Sequence, residues 1–181
     1  EFIQRPKNLA NSRALGDNVF EHGYFEIKKK LDLKEKDIEC VVLLFANAAT
    51  ITASIIDKGI KILRNNKKFD SAVSTSVYNM WSPLRARKLQ KDGTLKPFVP
   101  FEYFGNPKTL NCDRDSQGDV HFADMSVSVV RPSCLENLKE GLLPQKWMGK
   151  KIAPIPSSGG CDVDYDWQIP MVEFWLKKNG F

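Results

Sequence analysis

The sequence predicts an α/β fold, and two stretches carry the prediction. Residues 38–47, IECVVLLFAN, form a short, nearly unbroken apolar run rich in β-branched side chains, the pattern of a strand covered on both faces. This run stands between two stretches of helical apolar spacing, and a second strand-like run, FDSAVSTSV at 69–77, follows. Residues 38–77 therefore read as a βαβ unit with a right-handed crossover.

The elements follow in order. In DNVFEHGYFEIKKKLDL, Val19, Phe20, Gly23, Ile27 and Leu31 recur at roughly helical spacing, and Lys28, Lys29 and Lys30 crowd the end where cations suit the helix dipole. After the first strand, Ile55, Ile56, Gly59, Ile60 and Leu63 make one apolar stripe, and Asn65–Asn66 stops that helix. The middle of the chain is rich in proline, glycine and charge. Asp92–Gly93, between RKLQK and TLKPF, predicts a hairpin. MSVSVVRPSCL returns to strand chemistry and ends at Pro132; SCLENLKEGLL predicts a short helix with Ser133 as cap. KKIAPIP predicts a final strand and WQIPMVEFWLKKNGF a final helix, with Ile169, Val172 and Leu176, together with Met171 and Trp175, on its buried face. Pro170 is tolerated only in a first turn, which puts the start of that helix near Asp166 or Trp167.

Composition bounds the function. The chain has 181 residues, 42% of them hydrophobic, enough for one domain with a sizeable core. It lacks an unbroken apolar run of membrane-spanning length. The opening EFIQRPKNLA lacks a charged start followed by a long apolar region, so no leader is expected. The net charge of +5 comes from 27 basic and 22 acidic residues, and the basic ones are scattered. That distribution argues against a nucleic-acid partner and suits a small anionic substrate. Cysteines 40, 112, 134 and 161 form no CxxC pair, and His22 and His121 lie far from any cysteine pair, which argues against zinc. Cys40, inside the apolar run, is expected to be buried, and the cysteine pattern fits a reducing, cytoplasmic setting. His22 and His121 read as ordinary packed or surface histidines. Trp81 and Trp147 read as core or dimer contacts.

The chemistry gathers near the end, in GGCDVDYDWQIPMVEFWL, residues 159–176. Asp162, Asp164 and Asp166 alternate where a strand gives way to a helix, a place where open α/β sheets hold ligands. Asp162 and Asp164, if locally extended, point to one side and suit Mg²⁺, which takes oxygen ligands. The same residues also read as a solvated loop capping the helix, and Asp166 sits where an N-cap belongs.

This segment resembles the closing segment of the cytidylyltransferases that make CMP-activated acidic sugars, the CMP-sialic acid synthetase family, where Asp-Ile-Asp is followed by a further Asp before the last helix. Other stretches resemble the family in the same order. FIQRPKNLAN is similar to its Arg-Pro…Leu-Ala-Asp segment, DNVFEH to the next helix, and FDSAVSTSV to its Asp-Ser-Val-Phe-Ser-Val strand. VVLLFANAATIT stands where the family has Leu-Gln-Pro-Thr-Ser-Pro-Leu, CDRDSQGD where it has Arg-Arg-Gln-Asp, and ADMSVSVVRPSCL resembles the strand that follows. The resemblance covers almost the whole chain.

The resemblance implies a Rossmann-like three-layer α/β/α nucleotide-diphospho-sugar transferase fold. It implies a single domain over 1–181, with a β-rich insertion at about 78–125 carrying sugar-site and dimer segments, and a homodimer. The implied reaction is Mg²⁺-dependent transfer of CMP from CTP to an acidic 2-keto sugar, with release of pyrophosphate. Asp162 and Asp164 become the metal ligands and catalytic pair. A second register moves the family's pair to Gly160 and Asp162; both registers keep Asp162. Arg5 matches an arginine near the phosphates, and Asn47 and Ala48 match the Thr-Ser of the nucleotide pocket, with no hydroxyl at Ala48. Arg114, Asp115 and Gln117 overlap the sugar-site segment. Asn11 replaces a family aspartate. On this alignment the chain begins near the end of the family's third strand, so the glycine- and lysine-rich phosphate loop is expected to precede Glu1. The alternative is a non-catalytic binding or assembly domain of the same fold.

Overall fold

The computed structural model describes residues 1–111, 113 and 118–181. It is a mixed α/β structure in two compact units, one of residues 1–75 with 124–181 and one of residues 76–123.

In the larger unit the chain runs through α1 (Gly16–Lys30), β1 (Val41–Leu43), α2 (Ala53–Asn65) and β2 (Ser71–Val77). It returns as β5 (His121–Val130), α3 (Pro132–Glu136), β6 (Ile152–Pro156) and α4 (Ile169–Lys178). The strand order is β1-β5-β2-β6. β1 pairs antiparallel with β5, Val42 opposite Val129. β6 pairs parallel with β2, Val73 opposite Pro154. At the two ends of the β2–β5 seam, Arg131 N–H donates to Asp70 O at 2.9 Å and Tyr78 N–H to Val120 O at 3.0 Å. The partners run in opposite chain order, so β5 is antiparallel to both neighbours. The expected βαβ unit keeps its strand direction, but β5 is inserted between its strands.

Strand alternation feeds two core clusters. Val73 and Val130 join Tyr24, Leu135 and Trp147 in one; Ala72, Val127 and Val129 join Ile55, Leu63 and Trp175 in the other. Val127, Val129 and Val130 are wholly buried. Each is worth about 1.5–3 kcal/mol over exposure, which makes β5 the spine of the sheet. Gly59 lets α2 approach this spine, since a Cβ there would lie 2.6 Å from Val129 Cγ2 and 2.7 Å from Ile155 Cδ1. Thr52 caps α2, its Oγ1 accepting from Ile55 N–H at 3.2 Å. At the far end the Arg131 guanidinium donates to the carbonyls of Leu63, Asn66 and Phe69, adding side-chain partners for carbonyls at and just beyond the end of the helix.

Several expectations are corrected. β1 is a half-buried strand at the end of the sheet, not one covered on both faces, and Cys40 is only partly buried. The α1 stripe is likewise half-buried: Val19, Phe20, Gly23 and Ile27 face β1 across a cavity of about 450 Å³. Ser133 is not a cap; Pro132 occupies the first turn of α3, where its missing N–H costs nothing. On α4, Val172 and Trp175 are buried, but Ile169 and Met171 are 44% and 39% exposed. Trp175 reaches inward to donate from Nε1 to Ser158 O at 2.7 Å, and this fixes which face turns in.

The smaller unit holds the expected hairpin, β3 (Arg87–Leu89) against β4 (Leu95–Pro97). Gly93 takes φ +82 at its tip, and Asp92 Oδ1 accepts from Thr94 N–H at 3.0 Å. Arg87 lies over the Phe101 ring, and Tyr78 stacks on Trp81. Phe98 and Tyr103 are exposed.

Candidate functional site

Two loops and one strand meet in the larger unit. The loop after β1 carries Asn47 and Thr50. The loop after β6 carries Gly160, Cys161, Asp162 and Asp164. β5 contributes Asp124 and Ser126. The loops follow the carboxyl ends of β1 and β6, the end at which parallel strands gather ligands.

Asn47 joins the two loops. Its carbonyl accepts from Val163 N–H at 2.9 Å, and its Nδ2 donates to Asp164 Oδ1 at 3.2 Å. Gln168 closes the turn from the other side, Oε1 accepting from the N–H groups of Asp164 and Tyr165 at 2.7 and 2.8 Å. The loop side of this turn is thus held by Asn47 and the helix side by Gln168. Asp166 opens the 3₁₀ turn that leads into α4, as the position of Pro170 requires, but the side chain serving the turn's free N–H groups is Gln168.

Asp162 immediately precedes the anchored residues and is partly buried. Its Oδ1 is shut off from solvent and accepts no hydrogen bond among the described residues. Burial pushes its carboxyl above the usual carboxylate range, and the charges of Asp164 and Asp124 push it further the same way. Burial also raises the Cys161 thiol, with Asp162 and Asp124 adding to the effect. A buried carboxylate oxygen without a donor calls for a proton or a cation.

Asp124 has no counterpart among the sequence-based candidates. It is 5% exposed. Ser74 Oγ donates to its Oδ1, which also accepts from Ser126 N–H at 3.1 Å. Ser126 Oγ in turn lies 2.8 Å from Thr50 Oγ1. The sequence held one signal, an acid standing within a strand-like run, ADMSVSVV.

The remaining candidates separate. Ala48 is 2% exposed, so its methyl belongs to the core. Arg5 is exposed, and among the described residues it bonds none of these aspartates. Asn11 spends its side chain locally, Oδ1 accepting from Arg13 N–H at 2.9 Å and Nδ2 donating to Asn8 O at 2.9 Å. Arg114, Asp115 and Gln117 lie outside the described residues.

The donor set suits Mg²⁺ in kind. Asp162 and Asp164 offer hard oxygen ligands, and Mg²⁺ usually takes one or two carboxylates and completes its shell with water and phosphate. Among the described residues no cluster of three or more His, Cys, Asp or Glu could enclose a metal by itself. No helix among them is long and apolar enough to cross a membrane. Compared with known proteins, the chain matches no family model and no curated protein sequence.

Proposed function

We propose that this chain belongs to a cytidylyltransferase, transferring CMP from CTP to an acidic 2-keto sugar with release of pyrophosphate. The observation that carries the reading is the orphaned, buried Oδ1 of Asp162 beside Asp164, on a loop anchored to Asn47. The mixed sheet with helices feeding two core clusters supports the accompanying Rossmann-like three-layer fold. Exposed Phe98 and Tyr103 in the smaller unit suit the homodimer that goes with it.

In this reading Asp162 and Asp164 hold Mg²⁺. When bound, the ion screens phosphate charge and eases departure of pyrophosphate. The chain's own part is positioning. Asn47 fixes one oxygen of Asp164 through its amide. Gln168 holds the backbone of Asp164 and Tyr165, so the carboxylates need little reorganisation when substrate arrives. Burial of Asp162 keeps water from one of its oxygens, which makes a cation there more strongly attracted than at an exposed carboxylate.

The test is pyrophosphate release from CTP and a panel of acidic keto-sugars by the intact gene product, with and without Mg²⁺. Asp162→Asn should lose nearly all activity; full activity in that variant rejects the metal role. A second reading, a binding or assembly domain without catalysis, draws on the burial of Ala48 and the local use of Asn11. Calorimetry with CTP and Mg²⁺ separates the two, since that reading requires no CTP affinity.

A further inference from the structure

Gly160 stands two residues before Asp162, and its backbone is pressed against Asp124. A Cβ at Gly160 would lie 2.3 Å from Asp124 Oδ2 and 2.6 Å from its Cγ, closer than real Cβ contacts come. The carboxylate it meets cannot swing away. Ser74 Oγ and Ser126 N–H both hold Oδ1, and Ser74 Oγ itself accepts from Val127 N–H at 3.0 Å. Ser74 and Ser126 are wholly buried or nearly so. The next residue on β5, Met125, takes φ +56, a left-handed conformation uncommon for a bulky side chain inside a strand. Such a departure persists where its surroundings over-determine it.

From this geometry we propose that Asp124 is a positioning residue for the Asp162–Asp164 loop, a fixed carboxylate floor on which only glycine at position 160 can rest. β2 supplies the hydroxyl that locks the floor, Met125 with its positive φ sits beside it in β5, and the close approach at Gly160 sets the height of the loop. Asp124 acts through the loop and does not touch the reacting atoms. Its functional consequence rests on the metal reading of Asp162; its structural consequence does not.

Amide hydrogen exchange reads the structural part directly. Val163 N–H bonds Asn47 O and Asp164 N–H bonds Gln168, so both amides report the seating of the loop. In Gly160→Ala and in Asp124→Ala, both should exchange at least about tenfold faster, while Val129 and Val130 in the core stay within about twofold. Asp124→Asn, which keeps the shape and an acceptor for Ser74, should recover most of the protection. Ser74→Ala, which removes the hydroxyl that donates to Asp124 and accepts from Val127 N–H, should give a smaller loss at the same two amides. Unchanged exchange of Val163 and Asp164 in these variants overturns the proposal, as does a loss that takes the core amides with it to the same degree. Mn²⁺ affinity, read by electron paramagnetic resonance, should fall at least about tenfold in Gly160→Ala. If Asp162→Asn leaves Mn²⁺ affinity unchanged, the metal reading fails, while the exchange result still decides the role of Asp124.

Discussion

The side-chain amide of Asn47 meets the carboxylate of Asp164 at 3.2 Å, across 117 positions of sequence. The bond ties the loop after β1 to the loop after β6, and the backbone bond from Val163 to Asn47 runs beside it. Asn47→Ala should therefore loosen the aspartate loop without unfolding the sheet. The expected outcome is faster amide exchange at Val163, a thermal midpoint within a few degrees of the parent, and, for the proposed activity, a higher Mg²⁺ concentration at half-maximal rate.

Asp162→Asn should raise the thermal midpoint at neutral pH. The folded chain holds the Asp162 proton more tightly than the unfolded chain does. Stability therefore falls as pH rises from the unfolded value of about 4 through the raised folded one. The asparagine variant escapes that loss above the window and equals the parent below it. Thermal scans on both sides of the window check this; equal midpoints at neutral pH would mean that the carboxylate is not strained by burial.

Gly59→Ala should destabilise the protein although alanine favours helix. The helical gain is about 1 kcal/mol. Against it stands forced displacement of Val129 and Ile155, typically about 1–3 kcal/mol. Urea unfolding should show a lower midpoint with an unchanged slope.

Arg131→Met should cost about 2–4 kcal/mol, because hydrogen bonds from a charged donor to the carbonyls of Leu63, Asn66 and Phe69 are lost together. Thr52→Ala, at the other end of α2, should cost only about 1 kcal/mol. The ratio of the two, measured by denaturant titration, tests whether α2 is held mainly from its C-terminal end.

Cys134 should resist alkylation in the folded protein. Its thiol is buried and pushed up to about 11, chiefly by desolvation. At a pH of about 8 only about one such thiol in a thousand is ionised, and access is blocked as well. Mass spectrometry after iodoacetamide treatment, with and without denaturant, reads the difference.

What the sequence determined by itself was local. The apolar stripe of Ile55, Gly59 and Leu63, the stop at Asn65–Asn66, the turn at Asp92–Gly93 and the start of α4 around Pro170 all follow from backbone preference and periodicity within a few residues. The acidic loop was legible for the same reason, since its aspartates stand beside one another in the chain. Tertiary structure decided the rest. A strand's own residues do not state its neighbours, so the sequence could not place β5 between β1 and β2 or leave β1 half-buried at the end of the sheet. Ala48 and Asn47 are adjacent in sequence, yet one enters the core and the other reaches Asp164, because the loop's fold turns them apart. Asp124 became part of the site only through packing. Its carboxylate is held by Ser74 from another strand and covered by Gly160 from a distant loop, and contacts between remote segments leave no periodic trace in the chain that makes them.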